Sequence, residues 1–177
     1  GGAIAEPERP ARAPTHEPDY EMHGFSMQRF TADGPAATVL EGRALRHYPD
    51  TDELDIQGVR LLWTDEGGRR TVATAERAVA SGDGQRVTLR GDARVVRDAA
   101  PGRGAPRLEV RGQHLEVDAR ARRVRSDQPV VLVQGGDAQG RGGFELRAGT
   151  IDYDHASERL VLGGDVSGRI LSGGLTP

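Results

Sequence analysis

The sequence Arg86-Val-Thr-Leu-Arg-Gly-Asp-Ala93 returns, without a gap, as Arg159-Leu-Val-Leu-Gly-Gly-Asp-Val166. The second copy lies 73 residues after the first, measured from Gly91 to Gly164. In both copies aliphatic residues recur at every second position, and side chains two apart in a strand share one face of a sheet. The stretch therefore predicts a strand with one apolar face, in a chain that repeats one β unit.

The composition fits a single domain made of such units. Of the 177 residues only 36% are hydrophobic and 4% aromatic, while 25 are glycine and 10 are proline. These values disfavour a thick core sealed by aromatic rings. The formal net charge of −3 gives no general electrostatic reason to bind nucleic acid. Because the chain has no cysteine, disulfides and thiolate metal sites are excluded.

Alternating apolar runs flank short turn-forming segments, which predicts one strand over 22–30 and then four β-hairpins. The paired runs are 39–48 with 54–63, 71–80 with 85–96, 108–117 with 123–133, and 144–153 with 159–170. Glycine interrupts several runs, as at Gly58, Gly91 and Gly164, and a glycine inside a strand is typical of a bulge or bend. We expect an all-β, antiparallel, curled stack of successive hairpins with one aliphatic inner face. A β-sandwich with a filled core and a short right-handed β-solenoid are the alternatives.

No group of residues indicates a catalytic or metal site. The five histidines lie far apart, without the spacing of a zinc motif. The acidic segment 50–55 has Asp55 where a calcium loop requires glycine. The glycine-rich segment 135–143 is not followed by the Lys-Ser/Thr of a phosphate loop. We therefore expect no enzyme, no cofactor and no metal.

The chain divides into three parts by composition. Residues 1–18 are rich in proline, alanine and charge, which predicts an extended linker. Residues 19–171 hold the hairpin pattern and form the expected domain, and residues 172–177 form a tail. No apolar run reaches the length of a membrane span.

Six segments of this pattern carry a distinctive sequence. They are Pro18-Asp-Tyr-Glu-Met-His-Gly-Phe25, Arg29-Phe-Thr-Ala-Asp-Gly34, Leu45-Arg-His-Tyr-Pro-Asp-Thr-Asp-Glu-Leu-Asp-Ile56, Ser126-Asp-Gln-Pro-Val-Val131, Gly140-Arg-Gly-Gly-Phe-Glu-Leu146 and Leu162-Gly-Gly-Asp-Val-Ser-Gly168. Together these segments resemble the LptC family of periplasmic lipopolysaccharide-transport proteins. The resemblance runs from about Asp19 to Ile170. The related bridge protein LptA and the OstA-like domains share the glycine-aspartate strand ends more loosely.

The resemblance implies a folded-over β-jellyroll, open along one seam, and a non-enzymatic carrier of lipopolysaccharide. Such a carrier accepts the lipid from an inner-membrane ABC transporter, composed of LptB, LptF and LptG, and hands it to LptA. It implies a periplasmic location and one N-terminal membrane helix, which residues 1–177 do not contain; we expect that anchor upstream of this sequence. A structural or adhesive cell-surface β-repeat protein with a self-filled core is the alternative function.

In a carrier, the inner aliphatic face would form a trough for acyl chains, since each buried methylene gains about 0.8 kcal/mol. Strand phase predicts which residues line this trough. They are Phe30, Leu45, Ile56, Val79, Leu89, Leu115, Val124, Leu132, Phe144, Ile151 and Leu162. For each of them the alternative is a side chain packed in a self-filled core.

An open jellyroll also leaves edge strands whose free backbone groups can pair with a partner strand. The resemblance assigns the N-terminal edge, with Tyr20 and Phe25, to the transporter. It assigns the C-terminal edge to LptA, with Leu160, Gly164, Val166 and Ile170. Pairing of two copies into a homodimer is another use of the same edges.

Overall fold

The computed structural model describes residues 15–30 and 37–172. Within them the chain forms twelve strands and one short 3-10 turn, Pro101–Arg103. The strands are β1 (Tyr20–Phe30), β2 (Ala37–Tyr48), β3 (Glu53–Thr64), β4 (Arg70–Ser81), β5 (Arg86–Arg97), β6 (Leu108–Asp118), β7 (Arg123–Ser126), β8 (Val130–Gln134), β9 (Phe144–Ala148), β10 (Thr150–Asp154), β11 (Arg159–Gly163) and β12 (Ser167–Ile170). Most of the expected linker, part of the expected tail and the turn after β1 lie outside the described residues.

The strands form one antiparallel sheet in which β1 to β6 follow each other in chain order. After β6 the sheet divides, because β6 pairs with β7 near its end and with β8 near its beginning. One branch continues as β7-β10-β11 and the other as β8-β9-β12. The last three runs expected as single strands are thus each two shorter strands. The expected all-β class and the sequence of antiparallel hairpins are confirmed.

The long strands change conformation near their middle, at residues with positive φ. Gly91 and Asp92 have φ of 78° and 46°, and Gly164 and Asp165 have 69° and 53°. Gly24 and Gly58 also lie in the left-handed region, which glycine enters at little cost and which aspartate tolerates better than most residues. The β5–β6 register shifts between Arg90 and Ala93. We call this row of left-handed residues the fold line.

The fold line divides the sheet into two leaves. The upper leaf is the half that ends in the turns 49–52, 82–85, 119–122 and 155–158. The lower leaf is the half that ends in the connections 65–69, 98–107 and 135–143. Buried side chains from both leaves belong to one hydrophobic cluster. The sheet is therefore folded on itself so that the inner faces of the two leaves pack against each other, as in a jellyroll.

The centre of the core is a row of inner-face side chains next to the fold line. Leu45 faces Ile56, Ile56 faces Ala78, and the row continues through Leu89 and Leu115. All five are almost completely buried. Leu132 and Val110 face each other in the lower leaf and are equally buried.

The prediction that Val79 lies on the inner face is wrong. It pairs with Asp55 and Thr88 on the outer surface, whereas its neighbours Ala78 and Ala80 are buried. The register of β4 places Ala78 between Ile56 and Leu89, whose large side chains fill the space there. Since a shift of one residue changes the face of a strand side chain, the larger residue of this pair turns outward.

The start of β1 is held by a charged contact at the end of the upper leaf. The two ring nitrogens of His47 lie 2.6 Å from Asp19 Oδ1 and 2.8 Å from Asp52 Oδ1. The hydrogen bonds to Asp52 and then to Asp19 raise the pKa of His47, because they favour the protonated ring. Tyr20 stacks on the same ring at a centroid distance of 4.8 Å.

The backbone at Gly91 has a conformation that favours glycine. We expect Gly91→Ala to lower the free energy of unfolding by about 1–2 kcal/mol, because an alanine must adopt φ near 78°. Gly102→Ala is the matched control, since Gly102 does not have positive φ and has open space where the new methyl group would lie. Urea unfolding of both variants measures the difference. Equal losses in the two variants would contradict the role of the fold line.

Candidate functional site

A cavity of about 790 Å³ lies between the two leaves and opens at the seam where their outer ends meet. Its volume is within the range of small-molecule binding sites, about 300–1,000 Å³. Its apolar wall combines side chains from both leaves. They are Met27, Phe30, Leu40, Leu54, Leu61, Trp63, Ala80, Val87, Val117 and Val124.

Only two of the eleven residues proposed for the trough line this cavity, namely Phe30 and Val124. Six others are buried in the core and do not border the cavity. These are Leu45, Ile56, Leu89, Leu115, Leu132 and Ile151. Their inner-face position agrees with the strand phase, but beside the fold line the leaves are close enough for the side chains to fill the space between them.

The remaining three trough residues, Phe144, Leu162 and Val79, neither line the cavity nor lie fully buried in the core, and Phe30 borders the cavity only at its rim. Phe144 is 40% exposed, and its ring would contact a side chain added at Gly168 on β12. Leu162 is half-buried on the edge strand β11 and packs against the core. Phe30 is 69% exposed and borders the cavity at the end of β1. Val79 lies on the outer face, as described above.

The cavity wall consists of positions that strand phase alone does not separate from the core. Leu54, Ala80, Val87 and Val117 belong to the buried cluster themselves. Each lies two residues from a core residue that does not border the cavity, on the same strand and the same face. The sequence signal for the inner face was therefore present for these residues. Strand phase does not show how far a residue lies from the fold line, and this distance decides whether the two leaves touch at that residue.

The seam is bridged at two places. At one, Arg29 Nη1 of β1 donates to the carbonyl oxygen of Asp83 in the turn between β4 and β5, at 3.4 Å. At the other, two arginines of the lower leaf reach the turn between β10 and β11. We call this second contact, made by Arg69, Arg97 and Glu158, the seam clasp.

In the seam clasp one carboxylate serves two buried guanidinium groups. Glu158 Oε1 accepts from Arg69 Nη1 at 3.1 Å and from Arg97 Nη1 at 3.4 Å. Arg69 also donates to the carbonyl oxygens of Asp98 and Pro106, at 2.7 and 3.0 Å. Each arginine is at least nine-tenths buried, so the clasp holds two charges away from water.

The upper leaf completes the clasp with an aromatic pair. Arg97 Nη1 donates to the hydroxyl oxygen of Tyr153 at 2.9 Å, and the Tyr153 and His155 rings lie 5.7 Å apart. Burial, together with the charges of Arg97 and Arg69, lowers the pKa of His155 to about 4. His155 is therefore neutral at neutral pH and adds no further positive charge to the clasp.

The sheet has free edges at both ends. Among the strands that the structure describes, β1 pairs only with β2, β11 only with β10, and β12 only with β9. The apolar side chains along these edges differ in exposure. Ile170 is 81% exposed, Tyr20, Val161 and Val166 are each about half exposed, and Phe25 and Leu160 are half-buried against the core.

Gly164 has a structural task at the C-terminal edge. With φ of 69° it lies in the bend between β11 and β12, and an added methyl group would meet Gly149. A bulky residue at this position would disturb the fold itself, so its effect on partner binding could not be interpreted.

The described residues contain no cluster of three histidine or carboxylate side chains that could hold a metal ion. They also contain no helix with the length and hydropathy needed to cross a membrane.

Comparisons with known proteins give two findings. A family model described as lipopolysaccharide-assembly, LptC-related, matches residues 3–171. The chain is also similar in structure to LptH of Pseudomonas aeruginosa, described as the LptA-homologous periplasmic component of the lipopolysaccharide transport device, with a TM-score of 0.57. The two are 14% identical, and the similarity covers 78% of this chain and 96% of that one, which shows a shared fold. No curated protein sequence matches significantly.

The seam clasp leads to a stability prediction. We expect Glu158→Gln to lower the free energy of unfolding by about 1–3 kcal/mol, because it leaves two buried guanidinium charges without a carboxylate. Glu66→Gln is the control, an exposed residue in the turn after β3 with no ion pair among the described residues. Urea unfolding at low salt compares them. A loss in the control as large as that in Glu158→Gln would contradict the clasp.

Proposed function

The chain belongs to the LptC-related lipopolysaccharide-assembly family and is a periplasmic lipopolysaccharide-transport protein, and from this we propose that it is a non-enzymatic carrier that holds acyl chains between its leaves. The observation that supports the proposal most directly is the cavity. It has an apolar wall and opens to water along the seam. A self-filled structural or adhesive domain does not need such a space.

The apolar wall suits a ligand that must move. Each methylene transferred from water to an apolar surface gains about 0.8 kcal/mol, and this gain has no preferred direction. A chain can therefore slide along the wall without breaking specific hydrogen bonds. A charged saccharide would stay outside the seam, because burying it without partners is costly.

The size of the cavity implies movement of the leaves. About 790 Å³ is the space of one drug-sized ligand, whereas a lipid A molecule carries several acyl chains. A carrier of the whole molecule must open wider along the seam. The seam is the natural place, since two contacts bridge it near the cavity, the seam clasp and the bond from Arg29 to Asp83.

The carrier proposal predicts lipid contact at named positions. Photo-crosslinking residues placed at Met27 and Phe30 should form adducts with lipopolysaccharide, because both side chains border the cavity and are exposed enough to be replaced. A crosslinker at Tyr20 is the matched control on the same strand, since Tyr20 lies outside the cavity wall. Adducts are measured by mass shift after irradiation in the presence of lipopolysaccharide.

Absence of adducts at both cavity positions, with the domain folded and lipopolysaccharide present, would contradict the carrier function. Equal adducts at Tyr20 would show contact with the outside of the domain instead.

We further propose that the two edges connect the carrier to its neighbours in transport. The C-terminal edge would pair with LptA, and the N-terminal edge with the inner-membrane transporter of LptB, LptF and LptG. The free backbone groups of β1, β11 and β12 support strand addition. The exposed Ile170 would add apolar contact at one end.

The hydrogen bonding of β12 indicates which groups are free to pair. The backbone N–H of Leu171 donates to the carbonyl oxygen of Gly143, so this N–H points toward the segment that leads into β9. Hydrogen-bonding directions alternate along a strand, and the N–H of Ile170 therefore points away from β9.

Ile170→Pro should weaken binding to LptA at least tenfold, because it removes this outward N–H without removing a bond inside the sheet. Ile170→Ala is the control that keeps the N–H and removes only the side chain. Binding is measured with purified LptA by titration calorimetry, after urea unfolding has shown that each variant keeps its fold. Unchanged affinity in Ile170→Pro would exclude strand addition at this edge.

A further inference from the structure

The lining of the cavity contains more arginines than aspartates, although the whole chain is acidic. The complete sequence has a formal net charge of −3. The cavity lining nevertheless holds five arginines and three aspartates. They are Arg29, Arg69, Arg120, Arg122 and Arg123, with Asp65, Asp83 and Asp118.

The three aspartates are already used by their own turns. Asp65 Oδ1 accepts from the backbone N–H groups of Gly67 and Arg69, both at 2.9 Å. Asp83 Oδ1 accepts from the Ser81 hydroxyl and the Gln85 N–H, and these bonds lower the pKa of Asp83. Asp118 Oδ1 accepts from the Ala121 N–H at 2.9 Å. These bonds hold the three turns in place, and each of the three carboxylates already accepts from at least one backbone N–H of its own turn.

The arginines differ in what they bind. Arg69 is part of the seam clasp, Arg123 forms a two-point pair with Asp152, and Arg29 donates to a carbonyl oxygen. Arg120 and Arg122 make no ion pair or side-chain hydrogen bond within the described residues. Both are exposed at the mouth, in the turn between β6 and β7.

The backbone of this turn is held in place while its two arginine side chains extend into solvent. The Ala119 N–H donates to the Gln85 carbonyl oxygen at 2.7 Å, and the His155 N–H donates to the Arg122 carbonyl oxygen at 2.7 Å. The turn is thus fixed to two neighbouring turns of the upper leaf. Guanidinium groups presented from a fixed backbone suit an oxyanion, which they bind through two parallel hydrogen bonds.

We propose that Arg120 and Arg122 form a binding site for the phosphate of a lipid headgroup whose acyl chains occupy the cavity. This proposal rests on the carrier function and adds the part of the lipid that is recognised. The apolar wall selects acyl chains, and the two arginines select a negative charge at the chain end. Together they favour an anionic amphiphile over a neutral one of the same length.

The only tryptophan of the chain lies in the cavity wall and reports occupancy by its fluorescence. In titrations with diphosphoryl lipid A, we expect Arg120→Ala combined with Arg122→Ala to weaken binding about tenfold or more, as the loss of charge-assisted contacts predicts. Monophosphoryl lipid A should show a smaller difference between variant and wild type. Arg120→Lys with Arg122→Lys, which keeps both charges, should recover part of the affinity.

The control replaces two exposed arginines away from the cavity, Arg70→Ala with Arg90→Ala, and should bind like the wild type. It removes the same formal charge, so it separates a local site from an effect of net charge.

Equal binding by wild type and the Arg120/Arg122 alanine variant would overturn the rim site and leave the carrier function intact. No binding of lipid A by the wild type would overturn both. If inorganic phosphate alone displaces the lipid at equal concentration, the site binds free phosphate and not a headgroup, which also overturns the proposal.

Discussion

The left-handed residues of the fold line are the constraint on which the rest of the structure depends. A sheet of long strands with one apolar face must cover that face, and this chain has no layer of helices in its described residues to do so. Positive φ at Gly58, Gly91 and Gly164 lets the strands bend there and lays one half of the sheet on the other. The core, the cavity and the seam all follow from the position of that bend.

Folding one sheet on itself produces a graded interior. Near the fold line the leaves touch, and side chains such as Ile56 and Leu89 fill the space completely. Farther out the leaves separate, the same inner face lines a cavity, and their ends meet only at contacts such as the seam clasp. A single apolar face therefore supplies both stability and a binding surface. The polar ends of the strands, being turns, supply the charged groups at the mouth.

The sequence pattern predicted most of the strands and their pairing, because alternation and turn residues are local signals. The pattern was less informative about which face some side chains take and about which inner-face side chains border the cavity. Strand phase placed Val79 on the inner face with Leu45, yet the register of β4 turns it outward. Leu54 and Val87 are buried and share the phase of the core residues two positions away, and no local signal indicated that these two also border a cavity.

The sequence by itself determined the strands, the bends at glycine and aspartate and the one-sided apolar pattern, since backbone freedom and side-chain alternation are properties of neighbouring residues. Family membership also followed from motifs that could be read directly. Only the tertiary structure decided where the leaves touch, which residues line the cavity and which arginines meet Glu158. These depend on the twist and separation of strands that are distant in sequence, as the contact of Arg69 with Glu158 across the seam illustrates.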